Sequence, residues 1–380
     1  TATGGKASYE GMTAHTLWAR TYGIKAASIL ISGADVTATG GTCGDLVSGK
    51  DNTRESYGCY GDITMTDGSL TATGGNLLME DSSTGDRISY GIYGSISVSK
   101  GTIEATGGNT KGGKSYGIYL NKDSRFSGEA VVTATTKTES TDDYRYGIYV
   151  KETNLTLTVE DSANVTATVA EGANSGASGI YANSSYITFI QTGGSVVASA
   201  PEANQAGAHF KKADISGGTF SASAKGTAFY AYDLNLTGGD ITGTSTSTLE
   251  DTMSVVSTGI KIETLTMTGG SLTGKGGEHT TLQSYGVYLT GTADVSGGTI
   301  TGTGGHVFSE DRDVRSYGVN ITGTLTLSGG TVTGTAGQAS KTSEGVYIKN
   351  AILSNSAKIV GQGGISDEDN SVGVSINDAS

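Results

Sequence analysis

The sequence predicts an all-β chain, a right-handed parallel β-helix (a β-solenoid) of about 13 coils with three short strands in each. Three observations carry that prediction. The tetrapeptide Y-G-I-Y returns at residues 90, 116 and 146. Aligning the chain on its glycine gives Gly23, Gly58, Gly91, Gly117, Gly147, Gly179, Gly207, Ala228, Gly259, Gly286, Gly318, Gly345 and Gly373, about 29 residues apart, a period that belongs to solenoids and arrays. Within each unit the apolar residues recur with a period of two, which specifies strands and excludes amphipathic helices. The third observation is compositional: 61 of 380 residues are Gly and only one is Pro. Stacked strands need every backbone N–H for the ladder, and the turns between them need glycine.

The stretch from 318 to 337, "GVNITGTLTLSGGTVTGTAG", contains all three strands of one unit. The first points Val319 and Ile321 inward, the second Leu325 and Leu327, and the third Val332 with Gly334. Across the units the third strand places one large inward residue: Val36, Leu70, Ile103, Val132, Val165, Val196, Phe220, Ile241, Leu272, Ile300, Val332 and Ile359. Two positions later the residue is always small, Ala from Ala38 to Ala222 and Gly from Gly243 to Gly361. Such columns are expected where equivalent positions stack on one another in successive coils. The Gly-Gly doublets before and after this strand are expected to supply the backbone angles of the corners. A β-propeller needs about 40 residues and four strands per blade, and the 21-residue spacing from Gly207 to Ala228 cannot supply them. Disorder is disfavoured because the hydrophobic 35% of the chain recurs in strict order.

No proline-rich or charge-rich stretch divides the chain, so residues 1–380 read as a single β-helix domain. The opening "TATGG" falls mid-repeat and the close comes just after Val374, which reads as a fragment of a longer, processed surface protein. A net charge of −13 without a local Lys/Arg cluster argues against nucleic acid as a partner. No apolar run reaches the ~18 residues of a membrane span, so no membrane insertion is expected within this segment.

"GGTITGTGG" (297–305) and "SYGVYLTGTADVSGGTI" (284–300) resemble the right-handed β-helix repeats of bacterial cell-surface proteins. Some β-helix domains of that kind have pectate-lyase-like folds and serve as carbohydrate-binding modules. The resemblance lies in the repeat grammar and implies an extracellular location, secreted or attached to the cell surface, more directly than it implies a ligand.

Alternation also sorts the repeated residues by face. The last position of Y-G-I-Y points outward and reads Lys25, Tyr60, Tyr93, Tyr119, Tyr149, Tyr181, His209, Tyr230, Lys261, Tyr288, Asn320, Tyr347 and Ser375. Its aromatic members, Tyr60, Tyr93, Tyr119, Tyr149, Tyr181, His209, Tyr230, Tyr288 and Tyr347, are the candidate ligand-binding residues. Rigid rings with polar tips suit a glycan or a host or cell-surface protein. The same column also reads as a purely structural ladder, since same-face neighbours on stacked strands stabilise each other by roughly 0.2–1 kcal/mol. The tyrosines before the glycine (Tyr22, Tyr57, Tyr90, Tyr116, Tyr146, Tyr285, Tyr317) have inward parity and are expected to be packed.

Loops between the third strand and the next first strand vary in length and are shortest at "SASAKGTAFY" (221–230), leaving a low wall beside Tyr181, His209 and Tyr230. A second outward array is T-x-T in the third strand, from Thr37/Thr39 to Thr333/Thr335, read as a structural threonine ladder. Flat T-x-T arrays also resemble the ice-binding faces of solenoid antifreeze proteins, but Glu104, Val197, Lys275, Val360 and Gln362 interrupt this one.

An enzyme is not expected, because the acids gather in loops (Asp142-Asp143, Glu310-Asp311-Asp313, Asp367-Glu368-Asp369) and not on adjacent strands. These loops read as solvated charge, with weak Ca²⁺ binding as the alternative for one of them; no other cofactor or metal is expected. His15, His279 and His306 have no metal-ligand spacing. Cys59 takes an inward position and Cys43 lies sixteen residues earlier in a loop, so free thiols are slightly favoured over a bridge. The function expected is a non-catalytic, extracellular glycan-binding module, with a structural stalk or protein-binding adhesin segment as the alternative and an ice-binding solenoid as a remote one.

Overall fold

The structure, a computed structural model, describes residues 1–6, 16–43, 51–77, 86–137, 144–151, 154–170, 176–249, 256–278, 283–309, 314–354, 356–366 and 370–379. Every regular element among the described residues is a β-strand. Within each unit the strands pair in parallel with their equivalents one coil away, so the fold class is the predicted parallel β-helix, with about 10 turns where the sequence predicted about 13. The chain falls into two compact units: unit 1 is Thr1–Ile187 with Gly194–Ala200, and unit 2 is Thr188–Gly193 with Pro201–Ser380.

In unit 1 the third strands stack Val36, Leu70, Ile103, Val132, Val165 and Val196 in one column, and Ala38, Ala72, Ala105, Ala134, Ala167 and Ala198 in the next. The second strands stack Ile31, Met65, Val98, Phe126 and Val159. The first strands stack Ile24, Cys59, Ile92, Ile118, Ile148 and Ile180. In unit 2 the corresponding columns are Phe220 to Ile359, Ala222 to Gly361, Ile215 to Leu353 and Ala208 to Val374. Most of these side chains are fully buried, each stabilising the coil by about 1.5–3 kcal/mol for a large aliphatic or aromatic group.

The small-residue column follows from a close approach between strands. A Cβ on Gly334 would lie 1.9 Å from the carbonyl oxygen of Gly345, and one on Gly58 would lie 2.5 Å from the Thr73 nitrogen. First and third strands thus meet backbone to backbone at the motif glycine, which leaves room there for hydrogen or, at Ala228, a methyl group.

The two kinds of Gly-Gly doublet have different causes. Before the third strand the second glycine takes a left-handed conformation, as at Gly218, Gly239, Gly270, Gly298 and Gly330 with φ of 78–86°, in line with the expected corner angles. After the third strand the doublets are not among the positive-φ glycines. They are glycine because a Cβ on Gly40 would lie 2.4 Å from Ser56 Oγ and one on Gly74 2.2 Å from Ser89 Oγ. These serines belong to a column that periodicity alone does not single out. Ser89 Oγ donates to the Gly75 carbonyl (2.9 Å) and accepts from the Gly108 amide (2.8 Å), joining the corners of two successive coils. Ser56 does the same between Gly41 and Gly75, and Ser316 between Gly305 and Gly337.

Cys43 and Cys59 are both buried and free. Burial pushes the Cys43 thiol up to about 11 and the Cys59 thiol up to about 12.

Candidate functional site

The repeated Y-G-I-Y builds an aromatic assembly on unit 1. Its first tyrosines stack in the order Tyr22, Tyr57, Tyr90, Tyr116, Tyr146, with centroid separations of 5.0, 4.7, 5.2 and 5.6 Å and planes within 15° of parallel. Its last tyrosines stack in the order Tyr60, Tyr93, Tyr119, Tyr149, Tyr181 at 5.1, 4.9, 5.1 and 5.5 Å, within 21° of parallel. The two columns meet edge to face, as in Tyr57 against Tyr60 at 89° and Tyr90 against Tyr93 at 86°. The coil repeat imposes the stacking, and the offset of three residues along one strand imposes the perpendicular contact.

Tyr57, Tyr90, Tyr116 and Tyr146 are packed, as their parity predicts. Their partners, however, are the rings of the other column, in a cluster of its own. Burial pushes all four phenols well above the usual tyrosine range. The candidate ligand residues Tyr60, Tyr93, Tyr119, Tyr149 and Tyr181 are half-buried, and neighbours in the column lie ring face to ring face.

At the first rows a cleft of about 210 Å³ is lined by Arg20, Lys25, Glu55 and the tyrosines Tyr22, Tyr57, Tyr60, Tyr90, Tyr93 and Tyr119. Arg20 Nε donates to the Glu55 carboxylate, and Lys25 Nζ sits 4.7 Å above the Tyr22 ring. Glu55 and Tyr57, two residues apart on one strand, both face this cleft. Sequence reasoning passed over Arg20 and Glu55, although both stand three residues before a motif glycine and so had to be neighbours, as the register pairs them.

Unit 2 carries a second cluster. His209 stacks on Tyr230 at 4.6 Å, Tyr232 packs against Tyr230 at 4.8 Å, and Lys261 and Lys211 lie over the rings of Tyr230 and Tyr232 at 4.7 and 3.7 Å. The Tyr230 hydroxyl donates to Glu263 Oε1 at 2.6 Å. Burial, then Lys261 and Lys211, holds the His209 imidazole down near about 4. The wall beside this cluster is as low as expected, since only residues 225 and 226 separate Thr219–Ala224 from Thr227–Leu236. Tyr232 was legible too, two residues beyond Tyr230 on the same face. Tyr288 stacks on Tyr285 at 4.6 Å, and the Tyr347 hydroxyl accepts from Asn377 Nδ2 at 2.9 Å.

The threonine array is in register. Thr39, Thr73, Thr106, Thr135 and Thr168 occupy successive rows, and Thr168 Oγ1 donates to Thr135 Oγ1 at 3.3 Å. Among the described residues no group of three or more His, Cys, Asp or Glu side chains converges as a metal site would. The three acidic loops, His15 and His279 lie outside the described residues.

Comparison with known proteins gives no assignment: no family model, no curated protein and no solved structure matches the chain. The class defined by the fold is the parallel β-helix, here with two aromatic ladders on unit 1, one buried and one half-buried.

Proposed function

We propose that the chain is a non-catalytic structural segment, the stalk or adhesin-bearing part of a secreted or surface-attached bacterial protein, in which the tyrosine columns stiffen the coil. One observation carries this reading: the rings from Tyr60 to Tyr181 stack on each other at 4.9–5.5 Å, so their faces are occupied from row to row. A sugar held by an aromatic residue lies on the ring face, and these faces are taken. The extracellular, bacterial placement rests on the resemblance of the repeats. The test is a glycan array probed with the full chain, beside the melting temperature of Tyr→Ala variants in the column. The proposal expects no retained glycan and a lowered melting temperature.

Glycan binding stands as the second reading, on a changed mechanism. It is favoured by the cleft at the first rows, where a polyhydroxylated ligand would meet hydroxyl groups and ring edges beside Arg20 and Lys25. Retention of a glycan by the parent, lost in a Lys25→Ala variant that melts normally, would move the assignment to this reading.

A further inference from the structure

The ten stacked tyrosines of unit 1 form a continuous set of π systems, each within 5.6 Å, centroid to centroid, of the next ring in its column. The stiffening role uses the rings and leaves the phenols unexplained. Rings in van der Waals contact exchange an electron vacancy readily, and the edge-to-face contacts connect the half-buried column to the buried one. The position where such a vacancy comes to rest is decided by the proton. A phenol that has lost one electron is a strong acid, and the neutral radical forms where a base stands ready to take that proton.

Tyr57 has such a base. Glu55 stands two residues before it on the same strand and lines the same cleft; its side chain is only 11% exposed and is held by Arg20. The rings of Tyr90, Tyr116 and Tyr146, by contrast, are buried chiefly among other tyrosines. Tyr57 itself is 3% exposed, which keeps a radical there away from solvent and from a second radical.

We infer that the tyrosine ladder of unit 1 is a relay for one-electron oxidation, with Tyr57 as the terminal radical site and Glu55 as its proton acceptor. A small one-electron oxidant of the peroxyl-radical class takes an electron from a half-buried ring such as Tyr93. The vacancy passes between rings to Tyr57, and the Tyr57 O–H proton moves to Glu55. The products are a neutral tyrosyl radical, a protonated Glu55 and a peroxide anion that takes its proton from water. The ladder thereby draws oxidation away from the exposed tyrosines.

The test uses the full chain with a photo-excited ruthenium tris-bipyridine complex and persulfate as the oxidant. Tyrosyl decay is followed by transient absorption, and the oxidised residues are mapped by peptide mass spectrometry. The tyrosyl radical should live at least tenfold longer in the parent than in Glu55→Gln or Tyr57→Phe. Phenylalanine keeps the stacked ring while removing the phenol, and the melting temperature of each variant verifies its fold. A Tyr285→Phe, Tyr288→Phe double variant in unit 2 should match the parent lifetime. Equal lifetimes in the parent and both unit 1 variants, or parent oxidation that follows exposure and strikes Tyr144 and Tyr186 first, would overturn the inference.

Discussion

Tyr57 and Tyr90 stack with centroids 4.7 Å apart and planes 5° from parallel, one coil above the other. The separation is close to the 4.7–4.9 Å between neighbouring strands, so the ladder costs the backbone no distortion. A tyrosine on one row therefore finds its partner without adjustment, and repetition of the tetrapeptide extends the stack.

The serine column makes a separate prediction. Ser89 Oγ serves one carbonyl and one amide at two corners. Ser89→Ala leaves both without that partner in a buried place, which costs about 1–3 kcal/mol. The midpoint of urea unfolding should fall accordingly, and an unchanged midpoint would mean that water or the neighbouring backbone satisfies those groups.

Gly334→Ala tests the close approach of first and third strands. The added methyl group would lie 1.9 Å from a backbone oxygen that no rotamer change can move. Overpacking of this kind costs about 1–3 kcal/mol or more. Ala134→Gly in unit 1, which removes a methyl group from the equivalent column, should cost less, roughly 0.5–1 kcal/mol for glycine in a strand interior. Thermal melts of the two variants should rank in that order.

The buried thiols link stability to alkaline pH. Unfolded thiols ionise near 9, whereas folded Cys43 and Cys59 hold their protons to about 11 and about 12. Their contribution is therefore intact below about 9 and is lost as pH rises through 11–12. Iodoacetamide at pH 8 should label neither thiol in the folded chain and both after denaturation. Rapid labelling of the folded chain would contradict the burial.

His209 acts at the other end of the scale. Its folded imidazole is held near about 4 against 6.5 for an ordinary one, so the unfolded chain takes up the proton first as pH falls. The contribution is complete above 6.5 and declines as pH drops toward 4. A His209→Gln variant should show a flatter dependence of melting temperature on pH across that window. Parallel curves for variant and parent would remove His209 as the cause.

The interior was legible in the sequence because period two and period 29 act together. Val36, Leu70 and Ile103 had to share a column once their units were aligned, and they do. The outward column was also placed correctly, from Tyr60 to Tyr181. What the spacing did not reveal was where the ring faces go, because parity assigns a side of the strand and says nothing about χ angles. Tyr57 and Tyr60, read as opposite in parity, touch edge to face at 5.3 Å. The serine staples escaped notice for another reason. A serine before a tyrosine looks like any polar residue until the glycine corners of two coils are brought beside it.

The most direct test of the structural account is the melting temperature of a Tyr93→Ala, Tyr119→Ala, Tyr149→Ala variant of the full chain, measured beside glycan-array binding of the parent. Truncating a packed aromatic costs about 3–5 kcal/mol where it is fully buried, and these half-buried rings should each cost somewhat less. The account predicts a large fall in melting temperature for the triple variant and no glycan retained by the parent. A melting temperature within a degree or two of the parent, together with a glycan that the parent binds and the variant does not, would contradict it.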